Sequence, residues 1–390
     1  MRFLIHIPQL IFGGAEKVLV CFANELVMRG HEVEILESYE KGFLKSEFDP
    51  RVSFHAICSK EYESKYYASL NEIKKEKCVS KKLLKCGKQV FSKIVGYRKF
   101  AEYLTAKHYA NKLYDVAINY LEIESPEFLL NSIHADKYFQ WYHTDVKNID
   151  NPENTDRLIP LYEKMDAIIC VAESAKKSFI ERYSNLTDKT HVIYNFFDAE
   201  AICRSAEVPF NYHSSVPVML SVGRMTEQKK YIRFLEVLSR LQREGVCFEW
   251  HILGMGYQFD DIKNRIKQLH LEKVVFLDGL TDNPYKYMKN CDLFVLPSGC
   301  EGFPTVTIEA KILNCPVLAT DVSGIKEQII HGVTGWIVDN DEDAIYEGVK
   351  YLLINEKERN KLRNSEGIED ICDNLEKYYK FIKLVEVDNG

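Results

Sequence analysis

Pro297-Ser298-Gly299-Cys300-Glu301-Gly302-Phe303-Pro304-Thr305-Val306-Thr307-Ile308-Glu309-Ala310 is the stretch that decides how this chain folds. It follows Leu293-Phe294-Val295-Leu296, an apolar run that reads as a buried parallel strand. Pro304 suits the first turn of a helix, where a missing N–H costs nothing and a fixed φ already fits. The pattern predicts strand, tight turn and helix, with free amides at the helix start facing the space above the strand. Such a helix end binds phosphate or sugar oxygens. Glu301 falls in the turn and Glu309 inside the helix near its start. Their carboxylates accept hydrogen bonds from hydroxyls, while the amides between them donate to anions. A ligand with many hydroxyls and a diphosphate uses both, which points to a nucleotide sugar.

The same unit repeats outward from this stretch. Val218 to Val222 reads as a strand running into Gly223-Arg224, and Gln228-Lys229-Lys230 precede a helix from about Tyr231. Arg224 and Lys229 sit where a diphosphate would lie, Arg as a fork of donors and Lys as a point charge. From the residues alone they read equally well as surface charges. Trp250 to Leu253 and Val274 to Leu277 are further strands, each leading to a glycine turn, Gly254-Met255-Gly256 and Asp278-Gly279. Val317 to Ile325 is the next strand–helix unit, and helical patterns occupy roughly 341–354, 356–364 and 368–384.

Toward the amino terminus, Phe3 to Ile7 is a strand, followed by Gly13-Gly14-Ala15-Glu16 and a helical pattern from Val18 to Met28. A strand, a double glycine and a helix open a doubly wound sheet. The glycines let backbone approach a ligand, or simply make a turn. Without a G-x-G-x-x-G pattern, a dinucleotide site is not indicated. Tyr114 to Tyr120, Tyr138 to Asp145, Ala167 to Val171 and His191 to Asn195 are further strands, and His143 falls at the carboxyl end of one, where open α/β sheets bind ligands. Periodicity fades from Ala201 to Val216, between Pro209 and Pro217. The expected organisation is two doubly wound parallel-sheet α/β domains, 1–200 and 217–365, joined by a linker at 201–216, with a terminal helix over 366–390.

At 390 residues the chain is long enough for two such domains. A net charge of −7 argues against a nucleic-acid-binding protein. No apolar run reaches membrane-spanning length, and Pro8 and Gly13-Gly14 break the start too soon for a signal peptide. The 11 cysteines lack metal-ligand spacing and suit reduced thiols, so a cytoplasmic protein is expected. Asp339-Asn340-Asp341 reads as a helix cap, so no metal or other cofactor is expected.

The Glu301-x7-Glu309 spacing, with Gly302-Phe303-Pro304 inside it and Ala310 after it, resembles the motif of retaining glycosyltransferases of the GT-B class, family 4. The resemblance is dense over 218–338 and looser over 1–36 and 115–197. It implies two domains facing a cleft, a donor-binding second domain and an acceptor-binding first. By the same resemblance, Glu309 accepts from the ribose, while Glu301, Gly302, Phe303, Pro304 and Thr305 hold the sugar. Arg224 and Lys229 neutralise the diphosphate, Gly14 lies beneath the phosphates, and Gly223 and Gly254 lie close to the nucleotide. His143 matches a histidine that contacts the donor sugar. Lys230 stands where the family has glycine. The resemblance also implies metal-independent transfer with retention, from a UDP- or GDP-sugar to a sugar or lipid-linked glycan acceptor of surface polysaccharide. The alternatives are a non-catalytic nucleotide-sugar-binding protein and a transferase with a small soluble acceptor.

Residues 74–99 hold ten Lys or Arg against the single acid Glu76, interleaved with Leu84, Phe91 and Val95. Such a segment reads either as a membrane-surface helix or as a solvated amphipathic helix on its own domain. In the first case Lys81, Lys82, Lys85, Lys88 and Lys93 would face an anionic membrane, and the protein would sit peripherally on the inner face.

Overall fold

The computed structural model describes residues 1–11, 13–59, 78–80, 82, 96–148, 152–364 and 366–386. Two all-parallel sheets carry the chain. The first contains β1 Arg2–Ile7, β2 Glu32–Tyr39, β3 Ser53–Cys58, β4 Leu113–Asn119, β5 His134–Tyr142, β6 Ala167–Cys170 and β7 Thr190–Val192. Its order is β3-β2-β1-β4-β5-β6-β7. The second contains β8 Val218–Val222, β9 Glu249–Leu253, β10 Val275–Gly279, β11 Leu293–Leu296, β12 Val317–Thr320 and β13 Trp336–Val338. Its order is β10-β9-β8-β11-β12-β13.

Parallel sheets covered on both faces need strands that are apolar throughout, and β6, β11 and β12 are four-residue strands buried along their whole length. In each sheet the order reverses beside the first strand, between β1 and β4 and between β8 and β11. A crevice opens outside the carboxyl ends of such strands. The loops that carry Gly14, Arg224 and Glu301 leave β1, β8 and β11, so the switch points of both sheets supply the candidate residues.

After the second sheet the chain returns to the first. Phe381, in the helix Asn374–Glu386, is fully buried, with ring centroids 5.1 Å from Phe22 and 5.8 Å from both Phe3 and Phe139. Lys377 Nζ in the same helix donates to Asn195 O (2.7 Å), and Asn374 brackets the backbone of Phe197.

Several local expectations change. Pro304 is not the first helical residue: it is extended (φ −63°, ψ 117°) and precedes the helix Thr305–Ile312. The expected linker at 201–216 begins inside a helix, Ala199–Ala206. Asp198 caps it by accepting from Ala201 N (2.8 Å), and Ile202 and Ala206 are buried. This helix packs on the helices Tyr285–Asn290 and Thr305–Ile312, so it travels with the second sheet and leaves 207–217 as the irregular connection. The strand expected to reach Asn195 ends at Val192, and the terminal helical pattern breaks at Asp373 into Ile368–Cys372 and Asn374–Glu386. β3 lies where the sequence predicts no element, and the helix Tyr97–Tyr109 overlaps the basic segment only at 97–99. Asp341 is a helix cap as expected, accepting from Ala344 N (2.9 Å). Of the basic segment, Lys82 is described, whereas Lys81, Lys85, Lys88 and Lys93 lie outside the described residues. Among the described residues no helix is long and apolar enough to cross a membrane.

Candidate active site

The cleft between the two sheets has a volume of about 460 Å³. Gly14, His143, Gly223, Arg224, Lys229, Gly254, Glu301, Gly302, Phe303, Pro304, Thr305 and Glu309 all line it. Gly14 and Glu301, 287 positions apart in sequence, are thus brought to one place by the crossovers of both sheets.

The loop carrying Glu301 is held from several sides. Thr320 Oγ1 donates to Ser298 O (2.7 Å), Asn340 Nδ2 to Gly299 O (2.8 Å), and Gln228 Nε2 to Cys300 O (2.9 Å). The Gly299 amide donates to Gln228 O (2.8 Å). Within this frame Lys229 Nζ lies 2.6 Å from Glu301 Oε1, and the two side chains are 15% and 9% exposed. The resemblance assigns Lys229 to phosphate and Glu301 to sugar hydroxyls; in the structure they pair with each other. An anion arriving beside Lys229 therefore meets a cation already fixed in direction, and a sugar hydroxyl meets a carboxylate already oriented. Arg224 is exposed on the cleft wall, near the buried Glu16 in the first turn of the helix Gly14–Met28. Burial raises the Glu16 carboxyl above its ordinary range, and Arg224 partly opposes that shift.

Lys230 follows at φ +52°, the left-handed region that glycine enters at no steric cost. The geometry explains why a glycine would be favoured at this position.

Glu309 is 6% exposed, and burial raises its carboxyl above the usual range. Lys17 and a hydrogen bond from Tyr285 pull it partly back. Lys17 belongs to the first domain, and its Nζ donates to Tyr285 OH at 3.5 Å. Neither residue carried a sequence signal. Tyr285 belongs to no recognisable motif, and Lys17 reads as an ordinary first-turn lysine.

His143 lies just past β5. Its backbone N–H donates to Glu122 Oε2 (3.1 Å), and its Nε2 is out of solvent contact without a protein partner. Burial pushes the imidazole down to about 3, so the ring is neutral at physiological pH. A neutral ring is not charged to act as an acid.

Three glycines let the walls meet closely. A Cβ on Gly302 would lie 2.0 Å from His143 O, one on Gly254 1.9 Å from Gly223 O, and one on Gly14 2.7 Å from Thr305 Oγ1. The first and third are contacts between the domains; the first two meet backbone, and the third meets a side-chain hydroxyl.

Residues 209–366 match the family described as "Glycosyl transferases group 1". A relative from Campylobacter jejuni, N-acetylgalactosamine-N,N'-diacetylbacillosaminyl-diphospho-undecaprenol 4-alpha-N-acetylgalactosaminyltransferase, is 32% identical over 206 residues. That match spans 52% of this chain and 55% of the relative, about half the length of each. The structure of S. aureus TarM with UDP and alpha-GlcNAc-glycerol superposes with a TM-score of 0.74 at 15% identity, covering 99% of this chain and 100% of that one. The structure of Anabaena HepE with UDP-glucose gives 0.70 at 17% identity, covering 99% and 98%. Similar in sequence to the group 1 glycosyl transferases through its second domain, the chain has the GT-B fold along its whole length.

Proposed function

We propose that this protein is a retaining glycosyltransferase that moves a sugar from a UDP- or GDP-sugar to a lipid-linked glycan acceptor in surface polysaccharide synthesis. The observation that carries the reading is the meeting in one cleft of Arg224, Lys229, Glu301 and Glu309 from the second domain with Gly14 and His143 from the first. The TarM structure was obtained with UDP and the HepE structure with UDP-glucose, and the Campylobacter relative is named for a diphospho-undecaprenol acceptor, which supports the choice of substrate classes.

In this reading the negative charge that develops on the departing diphosphate is met by Arg224 and Lys229. Cations already in position for developing charge lower a barrier more than mobile water does. Glu309 accepts from the ribose and Glu301 from the sugar hydroxyls. Neutral His143 lines the cleft beside the transferred sugar, and the Gly302–His143 contact seals that side against water. Arg224 and Lys229 do the work often given to a divalent cation, so activity should persist in EDTA.

The lysines of 74–99 would hold the protein against the anionic inner leaflet, at about 1 kcal/mol each and fading within a Debye length. Vesicle sedimentation should show salt-sensitive binding to anionic lipid that is lost when Lys81, Lys82, Lys85, Lys88 and Lys93 are changed to Gln. Equal pelleting with neutral lipid would reject that surface. The transfer itself is tested by nucleotide diphosphate release with and without a lipid-linked acceptor. Acceptor-dependent release with retained anomeric configuration is expected. Binding without release would instead indicate a non-catalytic nucleotide-sugar-binding protein.

A further inference from the structure

We propose that Glu327 is a positioning residue that clamps the two domains together and so fixes the approach of the Gly302-Phe303 loop to His143. The clamp rests on the glycosyl-transfer reading only for its kinetic consequence.

Glu327 belongs to the short helix Ile325–Gln328 that follows β12. Its Oε1 accepts from Ser174 N (2.9 Å) and Ser174 Oγ (2.6 Å), and its Oε2 from Glu173 N (2.8 Å) and Tyr194 OH (3.0 Å). All four donors belong to the first domain. The bonds are reinforced from the same turn, where Gly324 N and Ser323 Oγ each donate to Ser174 Oγ at 2.9 Å.

The helix Glu173–Arg182 explains why the carboxylate is held so well. The first amides of a helix have no partner inside it and sit at the positive end of its dipole. A local Ser, Thr, Asp or Asn usually satisfies them. Here the residue before the helix is Ala172, which makes no side-chain cap. The acceptor comes from Glu327, 153 residues farther along the chain and in the other domain. The first domain therefore lacks the cap of one of its own helices until the second domain docks.

The clamp is continuous with the cleft wall. The Tyr194 and Phe303 rings lie with centroids 5.2 Å apart. A Cβ on Gly324 would lie 2.6 Å from Gly302 O, and Gly302 in turn abuts the His143 backbone. Glu327 does not line the cleft, so it acts on a ligand only through this chain of contacts.

Loss of the clamp should lower the fraction of molecules in the closed form, and apparent affinity falls by that same fraction. Small-angle scattering of the ligand-free protein should give a larger radius of gyration for Glu327→Ala than for wild type. The donor KM should rise roughly tenfold, while kcat at saturating donor changes much less. Glu327→Gln keeps a carbonyl acceptor for the helix amides and should show a smaller shift of both. Ser174→Ala, made in the opposite domain, removes one of the four bonds to Glu327 and should repeat the direction of the effect. An unchanged radius and donor KM in Glu327→Ala would overturn the clamp. If wild type turns over no nucleotide sugar, the transfer reading fails, and scattering still decides the clamp.

Discussion

Replacing Gly302 by alanine adds one methyl group where the two domains are closest. The new Cβ would lie 2.0 Å from His143 O, 2.9 Å from His143 C and 3.0 Å from Thr144 Cα. A relaxed C···O contact needs about 3.3–3.6 Å, so the walls must part by roughly 1.3 Å or more. Every atom met is backbone, and that backbone is tied down by His143 N and Thr144 Oγ1 donating to Glu122 (3.1 and 2.5 Å), so no side chain can rotate aside. A misplacement of about 1 Å at a reacting centre costs on the order of 10²-fold in rate. The stability cost of such overpacking is about 1–3 kcal/mol, which leaves the fold in place. Gly299→Ala is the matched control. Its Cβ would meet Lys230 Cε at 2.8 Å, the far end of a flexible side chain that can swing away. Nucleotide diphosphate release, measured beside a melting curve, should therefore fall about 100-fold for Gly302→Ala and stay within about threefold for Gly299→Ala. Near wild-type turnover in Gly302→Ala, or equal damage from both, would refute the close approach as a catalytic requirement.

Lys229→Ala removes the partner of a nearly buried carboxylate and should cost about 3 kcal/mol in denaturant unfolding, with turnover down about 10²–10³-fold. Adding Glu301→Gln should restore most of the stability and none of the turnover; recovery of both would deny Lys229 its role at the phosphate. Glu309 has a raised pKa, so its protonated form fits the fold better and its stabilising effect is complete below 4.5, then lost as pH rises through the higher folded value. Glu309→Gln should accordingly raise the melting temperature at neutral pH, with the gain vanishing below about 4.5, while nucleotide affinity falls; a gain that grows on acidification would contradict this. Lys230→Gly relieves a left-handed residue at φ +52° and should be neutral or stabilising by up to about 1 kcal/mol, read from chemical denaturation. A loss larger than that would mean the Lys230–Glu227 pair at 2.7 Å matters more than the backbone.

Much of the architecture was legible because buried parallel strands write themselves as uninterrupted apolar runs. Leu293–Leu296 appears in the structure with the bounds that the sequence suggests, and the strand Val317–Thr320 opens the strand–helix unit read at Val317 to Ile325. The half-polar edge strand Ser53–Cys58 carries a weaker pattern, and the helix Ala199–Ala206 buries only Ile202 and Ala206, too few to show a period. The positions of Arg224, Lys229, Glu301 and Glu309 could be read from strand–turn–helix logic, since each follows a strand at its ligand-binding end. Their pairings could not. Lys229 and Glu301 are 72 residues apart, Lys17 and Tyr285 268 apart, and nothing in local spacing encodes a contact made by two domains closing. The neutrality of His143 was equally hidden, because it follows from desolvation by the walls rather than from its neighbours in the chain.

The central claim is that the cleft grips a nucleotide diphosphate through Lys229 and Glu309, and thermal shift with UDP, GDP and their sugars tests it most directly. A ligand at 100 times its dissociation constant adds about 2.7 kcal/mol of stability. One nucleotide series should raise the melting temperature by several degrees, with the shift lost in Lys229→Ala and in Glu309→Gln. No shift with any nucleotide, or a shift that both variants keep in full, would contradict the account.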